Sequence, residues 1–297
     1  MLRIALALCL AATPSPAKDQ RKFIAFDGWT QDSRFVVFTL TTEWAATEAG
    51  DGGKAVETWV VDGRTGATAK YQAGKPDKKA KDVLSAEALA EWKKAHPLAP
   101  VVPSKTSPDK AATARIDLVA DDGKGSWAGA GYAFGCQGED CMMMQGKLTF
   151  SVEKAGKTYR GAGWEESSAG NLRGAVVPYW SPDGHRVAWA LERGYAMMND
   201  FGYGKVFVSA ASVRTEVVAA KDLSPDAAID ALEKAGVYVT KTGPAQKARE
   251  KSVVYFAKGF DAEAKAAAAA VPGGATTEPL SWKAESDLVI ALGATAK

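Results

Sequence analysis

The sequence predicts a mainly β chain that closes with a small α/β segment. Three observations predict it. A strand-forming motif occurs twice. Runs of alternating apolar and polar residues, separated by Gly-rich turns, fill the region between and around the two copies. Beyond Lys221, helical and strand patterns take turns.

The N-terminus comes first. Met1-Leu2-Arg3 carries one positive charge, Ile4 to Ala12 is an unbroken apolar run, and Thr13-Pro14-Ser15-Pro16-Ala17 ends it with small residues. These are the parts of a secretory signal peptide over residues 1–17, and they predict a periplasmic or secreted protein. The run is shorter than the roughly 20 apolar residues that span a bilayer, and no second stretch is long enough, so no membrane span is expected. Removing Arg3 from the 37 basic residues leaves 36 against 35 acidic ones. That balance argues against nucleic acid as a partner, because phosphate binding needs a surplus of Lys and Arg on one face.

The repeat pairs Trp29-Thr30-Gln31-Asp32-Ser33-Arg34-Phe35-Val36-Val37-Phe38 with Trp180-Ser181-Pro182-Asp183-Gly184-His185-Arg186-Val187-Ala188-Trp189. Each copy reads aromatic, polar turn, apolar strand. Pro182 presets φ, Asp183 bonds the following backbone and Gly184 accepts positive φ; Asp32 takes the matching place in the first copy. A second strand follows each copy, at Glu57–Asp62 and at Lys205–Ser209. This unit resembles the WD40-like PD40 repeat of TolB-type β-propellers. The resemblance implies structural roles for Asp32, Asp183 and Gly184, with aromatics packed between sheets. The length available holds four blades at most, since a blade takes about 40–45 residues. An incomplete propeller or a twisted β-sandwich built from PD40-like hairpins is therefore expected over residues 18–220.

Between the copies, Ser85 to Ala95 predicts a short helix capped by Ser85, with Leu89 and Trp92 on one face. Pro97, Pro100, Pro103 and Pro108 predict an extended connector. Alternation predicts strands at Ala114–Val119, Lys147–Val152 and Thr158–Arg160.

From Lys221 the pattern predicts a helix after Ser224-Pro225-Asp226, a strand at Val237–Val239, another at Ser252–Phe256, an Ala-rich helix over Asp261–Ala270, and a central strand at Leu288–Leu292. Ala235-Gly236-Val237, Val253–Phe256, Pro272-Gly273-Gly274 and Asp287–Gly293 resemble the LytR C-terminal domain, an accessory module of cell-envelope proteins. The resemblance covers residues 221–293. It implies an α/β domain and departs at Lys221–Pro225, where the family has a Gly-containing turn.

Chemistry-bearing groups are few. The two histidines, His96 and His185, lie in a loop and on a turn, and neither accompanies a nucleophile elbow. The acidic pairs Asp121-Asp122, Glu139-Asp140 and Glu165-Glu166 read as solvated turn charges. Cys136 and Cys141 flank four polar residues and, in an oxidising compartment, predict a disulfide. Met142-Met143-Met144 and Met197-Met198 beside them raise the alternative of a periplasmic copper site, because thioethers select Cu(I); Met fills core gaps more often than it binds metal. Of nine tryptophans, Trp127, Trp164 and Trp282 lie in Gly-rich or polar stretches and are candidates for a ligand surface. The expectation is a non-catalytic envelope protein that needs no cofactor and binds another envelope protein or polymer, with a hydrolase of unrecognised site as a further alternative.

Overall fold

Strand β1 (Gln20–Thr30) and strand β2 (Phe35–Trp44) form the first hairpin, and β3 (Gly53–Asp62) and β4 (Thr68–Gln72) continue it as an antiparallel meander. The structure, a computed structural model, describes residues 20–44, 52–72, 83–120, 123–136, 143–169, 172–195 and 203–296. The predicted signal peptide and the Met197-Met198 pair lie outside them. Short β5 (Val83–Leu84) adds beside β4. Helix α1 (Ala86–Ala95) comes next, with Ser85 Oγ accepting from the Ala88 amide at 3.3 Å as an N-cap. Its Leu89 and Trp92 cover the outer face of the sheet, over Val37, Val60 and Tyr71. The chain then returns as β6 (Leu98–Ala99) to the free edge of β1. Gly28 sits there in a bulge at φ 145°, and a Cβ would stand 2.9 Å from the Ala99 carbonyl oxygen. Only glycine fits that approach.

The next strands do not fill one sheet before starting another. β7 (Ala112–Ala120), β10 (Met143–Lys154) and β11 (Lys157–Ala169) form a three-stranded outer sheet. β8 (Gly123–Ala128), β9 (Gly131–Cys136), β12 (Leu172–Trp180), β13 (Arg186–Tyr195) and β14 (Tyr203–Ala210) form a five-stranded central sheet, ordered β14-β13-β12-β9-β8. Chain order thus alternates between two sheets that face each other.

Pleat alternation explains the layering. On β13, Val187, Trp189 and Leu191 point into a core shared with Ile116, Leu148 and Phe150 of the outer sheet. Ala188, between them, points the other way, against Trp29 and Val36 of the first sheet. Phe26 stacks on Tyr179 across this second interface at 3.9 Å. The central sheet is therefore covered on both faces. The described strands are mainly antiparallel, and no sheet among them closes into a barrel.

The C-terminal residues build a mixed sheet. It contains β15 (Thr215–Ala219), β16 (Val239–Pro244), β17 (Ser252–Phe256), β18 (Ala275–Pro279) and β19 (Leu288–Ala291), ordered β16-β15-β19-β17-β18. Helices α2 (Asp226–Lys234) and α3 (Asp261–Ala270) pack on one face through Ile229, Leu232, Ala264 and Ala267. β19 lies in the middle with all four residues buried. β15 precedes Lys221, so this sheet takes in residues N-terminal of the change in sequence pattern. Val237 and Tyr238 lie in the turn after α2 rather than on a strand. Gly236 at φ 82° ends the helix, and the Val237 amide returns to the Leu232 carbonyl at 2.9 Å.

Trp189 is fully buried and stacks on Phe150 at 5.2 Å. Trp189→Ala should cost about 3–5 kcal/mol, the range for emptying a large aromatic site. Urea unfolding followed by circular dichroism measures it, and a loss under about 1 kcal/mol would contradict the two-sided burial of β13.

Candidate functional site

The repeated turns are built from side chains. In the second copy Ser181 Oγ donates to Asp183 Oδ1 at 2.6 Å and accepts from the Arg186 amide at 2.9 Å; Asp183 Oδ1 accepts the His185 amide at 3.0 Å. In the first copy Thr30 Oγ1 donates to Asp32 Oδ1 at 2.5 Å and accepts from the Phe35 amide at 2.9 Å, and Asp32 Oδ1 accepts the Arg34 amide at 3.1 Å. Ser33 takes the left-handed position at φ 60° that Gly184 holds at 72°.

A third copy lies at Ser107-Pro108-Asp109-Lys110-Ala111-Ala112. Ser107 Oγ donates to Asp109 Oδ1 at 2.5 Å and accepts from the Ala112 amide at 2.9 Å, Asp109 Oδ1 accepts the Ala111 amide at 3.0 Å, and Lys110 stands at φ 59°. Pro108 therefore belongs to this turn and not to the extended connector. The shared Ser-Pro-Asp tripeptide was the available signal, masked by the neighbouring prolines. The three turns converge. Ser33 Oγ accepts the Asp183 amide at 3.1 Å, and a Cβ on Gly184 would stand 3.4–3.5 Å from Asp109, Pro108 and Ser107.

The buried Nδ1 of His185 has no hydrogen-bond partner among the described residues. The Asp183 carboxylate serves the Ser181 hydroxyl and the His185 backbone, while the imidazole stacks on Tyr238 at 4.4 Å. Burial holds the imidazole below its ordinary pKa, so it is neutral at neutral pH. Burial, with Asp183 nearby, pushes the Tyr238 phenol up to about 12, so it stays protonated. Beside them Arg186, 2% exposed, is ion-paired with Glu233 of α2. Arg64, from the β3–β4 turn, bridges Glu233 and Asp230 at 2.8 Å each. Asp62 accepts from Arg34 at 3.1 and 3.2 Å and from the Arg64 amide at 2.8 Å. This network ties the first sheet, the central sheet and α2 together. His96 stacks on Trp92 at the end of α1, its Nδ1 2.9 Å from the Trp92 carbonyl oxygen.

One concavity among the described residues lies between the first sheet and β14. It encloses about 420 Å³, within the range of small-ligand clefts. Phe38, Leu40, Trp59 and Val61 form the first-sheet wall; Gly204, Val206 and Val208 form the β14 wall; Asp62, Gly63 and Thr240 close one end. Neither histidine lines it. Nothing in the sequence pattern marks this cleft, because Phe38 and Trp59 carry the same strand alternation as residues in the closed core.

No family model matches this chain, and neither a curated protein nor a solved structure does.

The candidate tryptophans are spread over three places. Trp127, on β8, packs edge-on against Tyr132 at 5.6 Å beside the central core, with Lys105 Nζ 4.9 Å above its ring. Trp282, between β18 and β19, is 48% exposed and meets Tyr255 edge-on at 4.9 Å. Trp164 is on β11, in another sheet, and its side chain lies outside the described residues, as do those of Glu165 and Glu166. Cys141, Met142 and the acidic pairs at 121–122 and 139–140 also fall outside. Cys136, Met143 and Met144 are placed in backbone only, so the disulfide and copper readings fall outside the described side chains. Among the described residues no three His, Cys, Asp or Glu side chains form a metal-holding group, and no helix is long and apolar enough to cross a membrane.

Hydrogen bonding from Ser107, and then from the Ala111 amide, holds the Asp109 carboxyl below its usual pKa. A lowered folded value means the turn's stabilisation is complete above the unfolded value, about pH 4, and is lost as pH falls through the folded value. Ser107→Ala should therefore lower the thermal midpoint at neutral pH and lose part of that effect as the pH falls below the folded value of Asp109, the untitratable bond to the Ala112 amide keeping the rest; a penalty that does not change with pH would refute the pairing. Glu233→Ala leaves Arg186 buried without its partner and should cost about 3–5 kcal/mol in chemical denaturation. A neutral outcome would show that water reaches this network freely.

Proposed function

We propose that the chain is an exported, non-catalytic binding module of the cell envelope whose partner is another envelope protein or polymer. In this reading the β-rich part is PD40-related, with its hairpins packed as a twisted sandwich rather than as successive blades. The C-terminal mixed sheet with α2 and α3 is a LytR-C-like accessory domain. The observation that carries the reading is the cleft between the first sheet and β14. Its walls are apolar and aromatic, and one end is closed by Asp62, Gly63 and Thr240, which suits holding a ligand more than transforming one. The turn residues support it as well, since Ser107, Ser181, Asp109 and Asp183 use their hydrogen-bonding capacity within their own turns.

Affinity capture from envelope extracts with the full chain as bait tests this. The expected result is a saturable partner whose recovery falls when Phe38→Asp is introduced into the cleft wall, with no turnover on a panel of ester, peptide and glycoside substrates. Turnover on any of these substrates that survives purification to constant specific activity, together with recovery of no partner, would overturn the reading.

A further inference from the structure

We infer that the cleft is a β-addition site: it takes an extended, acidic stretch of polypeptide that pairs with the free edge of β14 and lays its alternate, apolar side chains on the inner face of β3 and β4. This rests on the binding-module reading and names the ligand class for it.

Sheet geometry carries the inference. β1 and β2 lie under the central sheet, with Phe26 on Tyr179 and Val36 beside Ala188. A Cβ on Gly204 would run into Ile24 and Leu40, so β14 crosses close above these two strands. Among the described residues the central sheet stops at β14, whereas the first sheet continues through β3 and β4. Trp59 and Val61 therefore face a space where the next strand of the central sheet would lie. α1 covers the opposite face of the first sheet, so among the described residues the uncovered part of β3 and β4 faces the cleft. Among the described residues β14 forms a ladder only with β13. Its other edge presents main-chain donors and acceptors toward that space, and such an edge is completed best by another strand. A sugar or a lipid chain would satisfy the aromatic wall but not that row of amides and carbonyls.

Charge selects among strands. Lys70 is the cross-strand partner of Trp59 and so shares its face, with Nζ 4.0 Å above the indole. Lys205 alternates with Val206 on β14, so its side chain leaves the other face of the strand, with Nζ 4.8 Å above Phe207, where the cross-strand residue of an added strand would stand beside it. Neither has a carboxylate partner among the described residues. The nearby carboxylates are engaged: Asp62 by Arg34 and the Arg64 amide, Glu57 by the Trp59 indole N–H at 3.1 Å. Among the described residues Lys205 thus stands at the free edge of β14 without a carboxylate partner, and it favours an incoming strand that alternates apolar residues toward Trp59 and Val61 with Asp or Glu beside Lys205.

The test uses the full chain and capped synthetic peptides alternating Val with Glu, Val with Lys, and Val with Glu carrying N-methylated amides. Calorimetry and amide hydrogen exchange are the readouts. The Val/Glu peptide should bind and slow exchange across residues 203–210. The Val/Lys peptide should bind roughly fivefold or more weakly, as should the Val/Glu peptide to Lys205→Glu, whose substitution at an exposed position leaves the thermal midpoint in place. N-methylation should abolish binding. The site is refuted if no peptide binds, if the N-methylated peptide binds as well, or if exchange at 203–210 does not change. Recovery of an envelope partner equally by the wild-type chain and by Lys205→Glu would refute this site while leaving the binding-module reading intact; recovery of none would remove both.

Discussion

β13 has no exposed face between Val187 and Leu191. A strand covered on both sides needs a sheet above it and a sheet below it, and the rest of the β-rich part depends on that requirement. The outer sheet supplies Leu148 and Phe150 to one face, and the first sheet supplies Trp29 and Val36 to the other. Burying a large aromatic such as Trp189 demands that its indole N–H be satisfied, and Ser209 Oγ on the neighbouring strand accepts it at 3.1 Å. Trp29 and Trp180 solve the same problem with main-chain carbonyls, of Tyr179 and Ser104, each at 3.0 Å.

The layered stack also fixes where polar chemistry sits. Each Ser/Thr–Asp turn lies just before a strand that enters the core, at Phe35, Ala112 and Arg186, so the turns gather at one end of the layers. There Arg186 is buried at the mouth of β13 and must be neutralised, which Glu233 of α2 does. Arg64 brings the β3–β4 turn into the same ion network. The mixed sheet is thereby held against the end of the cleft, where Thr240 of β16 contributes to its lining. One buried cation at the start of one strand connects the packing of the core to the shape of the cleft.

Much of the local structure was legible. The helix capped by Ser85, the Ala-rich helix over Asp261–Ala270, the strand at Ser252–Phe256 and the buried central strand from Leu288 are present as periodicity and capping predict. The tripeptide Ser-Pro-Asp shows the limit of local reading. It occurs at 107–109, 181–183 and 224–226. The first two close turns into strands. The third starts α2, with Ser224 Oγ donating to Asp226 Oδ2 at 2.9 Å. The same short-range hydrogen bond serves either outcome, and the residues after the tripeptide decide between them: Ala112-Thr113-Ala114 and Arg186-Val187-Ala188 alternate as strands, whereas Asp226 to Lys234 has helical spacing.

The sequence by itself determined that the chain is mainly β, where its turns and helices begin, and which residues are apolar enough to form a core, because these depend on contacts within a few residues. Only the tertiary structure decided that β8 and β9 join β12 while β10 and β11 turn back to β7, that Trp29 and Trp180 are closed into cores while Trp59 borders a cleft, and that Glu233 meets Arg186. The reason is physical. Strand alternation says that a side chain leaves one face of a sheet, but whether that face meets another sheet or a gap depends on how far each sheet extends, and that is set by pairings between residues far apart in the chain.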